Sequence, residues 1–155
     1  MGTAKTRLRR AVRDVSANCL GLRARVVERV VSSIFDRQLR PLGLRNTQVT
    51  VLTAIAKAEF ATPRALGQAL DLEKSTVSRT LDRMIERGWV ETVEVEDARS
   101  YGVRLTSAGE ETLLEAYPAW RTAQREVEAL LGASLGSGLH DIAGRLNPGL
   151  LKDTP

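Results

Sequence analysis

The sequence predicts a mainly α fold (α+β): long N- and C-terminal helices around a small helical module that carries one β-hairpin. Three observations predict it. In residues 71–106 the apolar period changes from helical, with Val77, Leu81, Met84 and Ile85 on one stripe, to alternating, with Val90, Thr92, Val93 and Val95 and then Val103 and Leu105. Two short amphipathic segments joined by turn residues precede that stretch. Each end of the chain carries an apolar stripe too long for a module of this size to cover.

Taken in order, Leu8, Val12, Val15, Cys19, Leu22, Val26, Val30 and Ile34 fall three or four apart, which predicts one amphipathic helix from about Thr6 to Leu39. Arg7, Arg9, Arg10 and Arg13 lead it, as a solvated face or as an arm near phosphates. Pro41 and Gly43 close it. Asn46 is placed to cap a helix over Thr47 to Lys57 with Val51, Leu52 and Ile55 inward. Thr62 caps a short helix with Pro63 at its first position and Leu66, Ala69 and Leu70 on its inner face, and Asp71 and Leu72 turn into the next helix. There the stripe of Val77, Leu81, Met84 and Ile85 faces a core. Ser75, Arg79, Asp82, Arg83 and Glu86 project away from it, with Thr76 and Ser78 on the flanks. Gly88 ends this helix in left-handed geometry. The hairpin that follows has a polar tip from Glu94 to Tyr101.

Two short helices joined by a tight turn, the second presenting hydroxyls and arginines, followed by a hairpin, spell a winged helix-turn-helix over residues 46–106. In such a module the second helix enters the major groove by its N-terminal end and the hairpin tip lies against the backbone or the minor groove. Thr106 caps the last long helix, with Glu110 and Glu111 in its positive first turn. Leu113, Tyr117, Trp120, Ala123, Val127 and Leu130 continue its stripe. Pro118 predicts a kink near Glu115. Gly132, Gly136 and Gly138 predict a break, with a short helix around Leu139 to Leu146, Ile142 inward, stopped by Asn147-Pro148-Gly149. The apolar ends predict a homodimer built from residues 1–41 and 107–150, within a single domain spanning 1–155.

The 155 residues suffice for one folded unit without staples. No apolar run is long enough to span a bilayer and the N-terminus lacks a secretory apolar stretch, so a cytoplasmic protein with no membrane partner is expected. One cysteine, Cys19, and one histidine, His140, provide neither a disulfide nor a zinc set, and no nucleophile signature accompanies His140, so no metal, cofactor or enzymatic activity is expected. The net charge of +4 suits a polyanionic partner, but the excess is N-terminal: residues 1–40 carry ten Lys/Arg against three Asp/Glu, whereas 41–106 carry nine of each. Binding to double-stranded DNA must therefore depend on the placement of Lys74, Arg79, Arg83, Arg99 and Arg104. The near-neutral lobe leaves an alternative, a winged-helix module that docks proteins without touching nucleic acid.

From about Cys19 to Leu131 the chain resembles the MarR family of bacterial transcription regulators. The matching segments run from Leu39 to Gln48, from Glu73 to Val90, from Asp97 to Ser100 and from Leu105 to Gly109. The resemblance implies a homodimer with helical dimerisation ends and two winged helix-turn-helix lobes, which represses genes at a palindromic operator and is released by a small ligand or an oxidant. It assigns Ser75, Thr76, Ser78 and Arg79 to the DNA-touching positions of the recognition helix, beside Arg83 on the same polar face. It assigns Asp97 and Arg99 to the wing, where the carboxylate orients the guanidinium that enters the minor groove. Cys19 lies where the peroxide-sensing branch of the family carries its redox cysteine. The tyrosines that accompany that cysteine have no counterpart here, the nearby residues being Ser33 and Phe35, so packing is the preferred role for Cys19. Many relatives hold small aromatic or phenolic acids beside the dimerisation helices. Arg23, Arg25, Arg29, Trp120 and Arg121 could line such a cleft, but a solvated basic face and a core tryptophan account for them better, and no ligand residue is assigned.

Overall fold

The computed structural model describes residues 2–94 and 101–147. Its elements are α1 (Gly2–Asn18), α2 (Leu20–Leu39), α3 (Asn46–Ala58), α4 (Pro63–Leu70), α5 (Lys74–Glu86), β1 (Val90–Glu94), β2 (Tyr101–Leu105) and α6 (Ser107–Leu146), with a 3-10 turn at Arg40–Leu42 between α2 and α3. The chain divides into two compact units after Ser33.

In the first unit, the single helix expected from Thr6 to Leu39 is interrupted at Cys19. Helical bonds persist on either side, from Cys19 N–H to the Val15 carbonyl (3.0 Å) and from Arg23 N–H to the Cys19 carbonyl (3.3 Å). The Arg23 guanidinium also donates to the carbonyls of Ala17 and Cys19, and so satisfies backbone groups at the break. Apolar spacing runs straight through this point, so the pattern does not register it. Leu8, Val12, Val15, Leu20 and Leu22 are exposed in this unit.

The second unit is built on one contiguous core from every element of the lobe: Val51, Leu52 and Ile55 of α3, Leu66 of α4, Val77, Leu81 and Met84 of α5, Val90 of β1 and Val103 of β2. β1 and β2 pair antiparallel from Val90 opposite Leu105 to Glu94 opposite Tyr101. Ala61 adds a single bridge to Val103. The turn chemistry follows the sequence at most joints. The Thr62 hydroxyl accepts the Ala65 N–H (3.2 Å), with Pro63 behind it. Asp71 closes α4 in the left-handed region, φ 51°. Gly88, φ 72°, ends α5: its N–H reaches the Ile85 carbonyl and the Trp89 N–H reaches the Met84 carbonyl, both at 2.9 Å, the paired bonds of a Schellman motif.

Three expectations are corrected. The N-cap of α3 is Arg45, not Asn46. Asn46 is already helical and its N–H donates to Asp36 Oδ1 (2.7 Å), while the Gln48 side chain accepts the Arg45 N–H (2.9 Å). In α6 the one residue with non-helical dihedrals is Gly132 (φ 74°, ψ 160°); Pro118 stays inside the helix, and the chain is helical again through Gly136 and Gly138 to Leu146. Ile142, expected inward, is exposed. The helix stops at Asn147 as expected, and Asn147 Nδ2 donates to the Ala69 carbonyl (2.8 Å) at the open end of α4. Pro148 and Gly149, the other members of the expected stop, lie outside the described residues.

α6 is tied to the last turns of α2. Arg37 forms an ion pair with Glu126, and Gln38 Nε2 donates to the same carboxylate (3.3 Å). The bond from Arg37 holds the Glu126 carboxyl below its ordinary value, partial burial opposes that, and the Gln38 bond adds to it. Trp120 is half-buried, stacked on Tyr117 (6.1 Å between centroids) and tilted against Phe35 (6.3 Å). Beyond that contact Leu114, Leu130, Leu135, Leu139 and Leu146 of α6 are exposed.

Candidate nucleic-acid interface

α5 carries the candidate residues, and the core stripe fixes which of them face outward. With Val77, Leu81 and Met84 fully buried, the opposite side of the helix presents Ser75, Arg79, Asp82, Arg83 and Glu86, all exposed, while Thr76 and Ser78 are half-exposed on its two flanks. The face is graded in charge. Hydroxyls and Arg79 occupy its N-terminal half, and Asp82, Arg83 and Glu86 its C-terminal half. The net charge of the face thus changes sign along the helix, positive at the N-terminal end and negative towards the other. Arg79 Nε donates to the Ser75 carbonyl (3.1 Å), which folds the side chain back over the first turn and carries the guanidinium towards that end.

Each flank of α5 borders a cleft. On one side Thr76, Arg79, Thr80 and Arg83, at spacings of three, four and seven, share a cleft of about 250 Å³ with Arg45, Thr47 and Gln48 of α3. On the other, Lys74, Val77 and Ser78 share a larger one, about 670 Å³, with Pro63, Arg64, Gly67 and Gln68 of α4 and with Tyr101 at the start of β2. The structure thus brings Ser75, Thr76, Ser78, Arg79 and Arg83 onto one helix face. Asp97 and Arg99 lie outside the described residues.

Several basic residues are occupied elsewhere. Arg104, one of the charges the sequence offered for DNA, lies opposite Glu91 in the hairpin register, and its Nε donates to that carboxylate at 2.6 Å. Arg87 caps the loop before α3 through the Gly43 carbonyl (3.1 Å) and covers the Trp89 ring (4.8 Å to the centroid). Arg23 is engaged with its own helix break, and Trp120 with Phe35 and Tyr117, so neither stands free for a ligand. Cys19 is half-buried at the same break. Among the described residues no group of three or more His, Cys, Asp or Glu is placed to hold a metal ion, and no helix is long and apolar enough to cross a membrane.

Sequence reasoning missed Arg45, Thr47, Gln48 and Thr80 on one flank and Arg64, Gln68 and Tyr101 on the other. The first set had a local signal: Gln48 stands three residues after Arg45, the spacing of a capping box, which places Arg45 at the helix boundary. The second set had none, because it depends on how α4 and the hairpin pack on α5.

Residues 42–100 match the model of the MarR family. The chain is 34% identical over 82 residues to the uncharacterized HTH-type transcriptional regulator YwoH of Bacillus subtilis, an alignment that covers 53% of this chain and 60% of that protein. It thus spans about 60% of the length of the curated relatives it matches. Among solved structures, the M. tuberculosis transcriptional regulator MosR in complex with DNA superimposes with a TM-score of 0.71 and 30% identity, over 83% of this chain and 96% of that one. A mutant MarR from E. coli complexed with operator DNA superimposes with a TM-score of 0.75 over 86% of this chain and 96% of that one; at 24% identity it speaks for the fold alone. By its lobe, its flanking long helices and these matches, the chain belongs to the MarR family of winged helix-turn-helix transcriptional regulators.

Proposed function

We propose that the protein binds double-stranded DNA in a sequence-specific manner as a homodimer and represses transcription from a palindromic operator. The observation that carries this reading is the graded outer face of α5. Exposed Ser75 and Arg79 stand at its leading end, Thr76 and Ser78 are on its flanks, and the buried stripe behind them locks the rotation of the helix. Hydroxyls and an arginine are the groups that bond base edges and phosphates, and the N-terminal turns of the second helix are the part that reaches the groove floor. The complex of MosR with DNA lends support. In this reading residues 46–106 form the DNA lobe, with Asp97 and Arg99 in its wing.

The dimer is the companion part of the proposal. Leu8, Val12 and Val15 in the first unit and Leu130, Leu139 and Leu146 in the second are exposed in one protomer, and such rows of leucine and valine along amphipathic helices need a covering surface. A second copy supplies one to both ends, and a two-fold axis then presents two copies of α5 to two half-sites. Release of the operator by a small ligand or an oxidant completes the proposal, with packing still the preferred role for Cys19. An oxidant effect that survives Cys19→Ser assigns the trigger elsewhere.

The test is enrichment of duplexes from a random pool by the purified protein, read by sequencing. The expected result is a palindromic motif whose binding weakens steeply with salt. Retention of no sequence above background, together with capture of a protein partner by the 46–106 face in the full chain, would favour the docking alternative that the neutral charge of this segment leaves open.

A further inference from the structure

We propose that the cleft between the start of α3 and one flank of α5 seats a single DNA backbone phosphate, with Arg45, Arg79 and Arg83 around it and Gln48 on its wall. This rests on the DNA-binding reading above, and adds to it a contact outside the recognition helix and the wing.

The start of α3 carries a local conflict. α4 and α6 each start at a threonine whose hydroxyl accepts an N–H of the first turn, Thr62 from Ala65 and Thr106 from Gly109. α3 starts at Arg45, which has no acceptor to offer and makes no such bond. Arginine is a poor N-cap and adds positive charge at the positive end of the helix. A residue that works against its own helix and faces a cleft with two further arginines is accounted for by an anion that all three share.

Gln48 lies beside that start. It is the one buried polar side chain recorded among the described residues, 9% exposed, and it lines this cleft. Its Oε1 accepts the Arg45 N–H. The helix end itself is not the seat, because Asp36 already takes the Asn46 N–H. No carboxylate lines the cleft, and neither Arg45 nor Arg83 has an ion-pair partner among the described residues. At about 250 Å³ the space suits one phosphate and falls short of the volume that encloses an organic ligand. Its position fits the duplex. A helix in the major groove has a phosphate backbone along each long side, and this cleft runs along one side of α5 beside Thr76, Arg79, Thr80 and Arg83.

Arg45→Thr separates this from a folding effect because the two readouts move in opposite directions. Threonine restores the cap used by α4 and α6, so the thermal midpoint is expected to rise. At the same time, for a dimer that loses two phosphate contacts, affinity for the enriched duplex falls by about thirtyfold at 0.15 M salt and the slope of log K against log salt becomes shallower by about two. Gln48→Glu, which keeps an acceptor for the Arg45 N–H and adds a negative charge to the cleft, is expected to weaken binding with the fold intact. Unchanged affinity and slope in Arg45→Thr, with wild type binding normally, overturns the seat and leaves the DNA reading standing. Inorganic phosphate that raises the wild-type midpoint but not that of Arg45→Thr, with the DNA slope unchanged, assigns the cleft to free phosphate instead and also overturns it. Failure of the wild type to enrich any duplex removes the DNA reading, and the seat with it.

Discussion

Replacing Arg79 with alanine will lower affinity for the enriched duplex by roughly tenfold to a hundredfold for each recognition helix engaged, the range for one good side-chain contact to a base or its backbone. Arg79 is exposed, and its side chain bonds the Ser75 carbonyl of its own first turn, so no core contact is lost and stability should stay within about 0.5 kcal/mol of wild type. Arg104→Ala is the matching control. It removes the same charge from a guanidinium already spent on Glu91 across the hairpin, and it should leave affinity nearly unchanged. Arg99→Ala should go further than Arg79→Ala and abolish specific binding while the dimer persists. Fluorescence anisotropy on the enriched duplex, with sedimentation for the assembly, reads both. Equal losses in Arg79→Ala and Arg104→Ala would mean that bulk charge, not placement, governs binding.

The largest stability effect is expected at Gly109. A Cβ there would lie 2.0 Å from the Trp89 carbonyl oxygen and 3.0 Å from its carbon, inside any real contact distance and against backbone. The carbonyl cannot swing away cheaply, because it accepts the Thr106 N–H (3.1 Å), and the Thr106 hydroxyl in turn donates to the Gly88 carbonyl (2.5 Å). The first turn of α6 is thereby bolted to the foot of the hairpin. Gly109→Ala should cost about 3 kcal/mol, the upper part of the usual overpacking range, and lower the thermal midpoint of a domain this size by roughly 10 °C. Gly136→Ala provides the contrast. Gly136 is helical and nothing lies within 4 Å of its added Cβ, so alanine should be neutral or stabilising, by up to ~1 kcal/mol. Thermal melts monitored by circular dichroism distinguish them. Similar midpoints for the two variants would contradict the junction described here.

The lobe was legible wherever its signals were local. Thr62 with Pro63, Asp71, Gly88 and Thr106 each mark a boundary through their own backbone or hydroxyl chemistry, and the stripe of Val77, Leu81 and Met84 determines the outward face of α5 by its spacing alone. What escaped depends on non-local choices. The break at Cys19 sits inside unbroken apolar spacing and is held by the Arg23 side chain. Asn46 looked like a cap because its side chain suits one, yet Asp36, ten residues upstream, takes its N–H and shifts the boundary to Arg45. Pro118 stays within helical dihedrals, so no non-helical residue marks the kink expected near Glu115, while the break expected over Gly132, Gly136 and Gly138 falls at Gly132 alone. The five candidate residues of α5 could be read from one helix, whereas the partners they acquire from α3, α4 and β2 could not, since no spacing in the sequence records how those elements cross.

The central claim is that two copies of α5 meet one duplex in register with its grooves. A hydroxyl-radical footprint on the enriched duplex measures that directly. The account predicts two symmetric protected patches whose centres lie about one helical turn apart, roughly ten base pairs, with protection reduced in both halves alike by Arg79→Ala. A single unpaired patch, or even protection along the whole duplex, would contradict it.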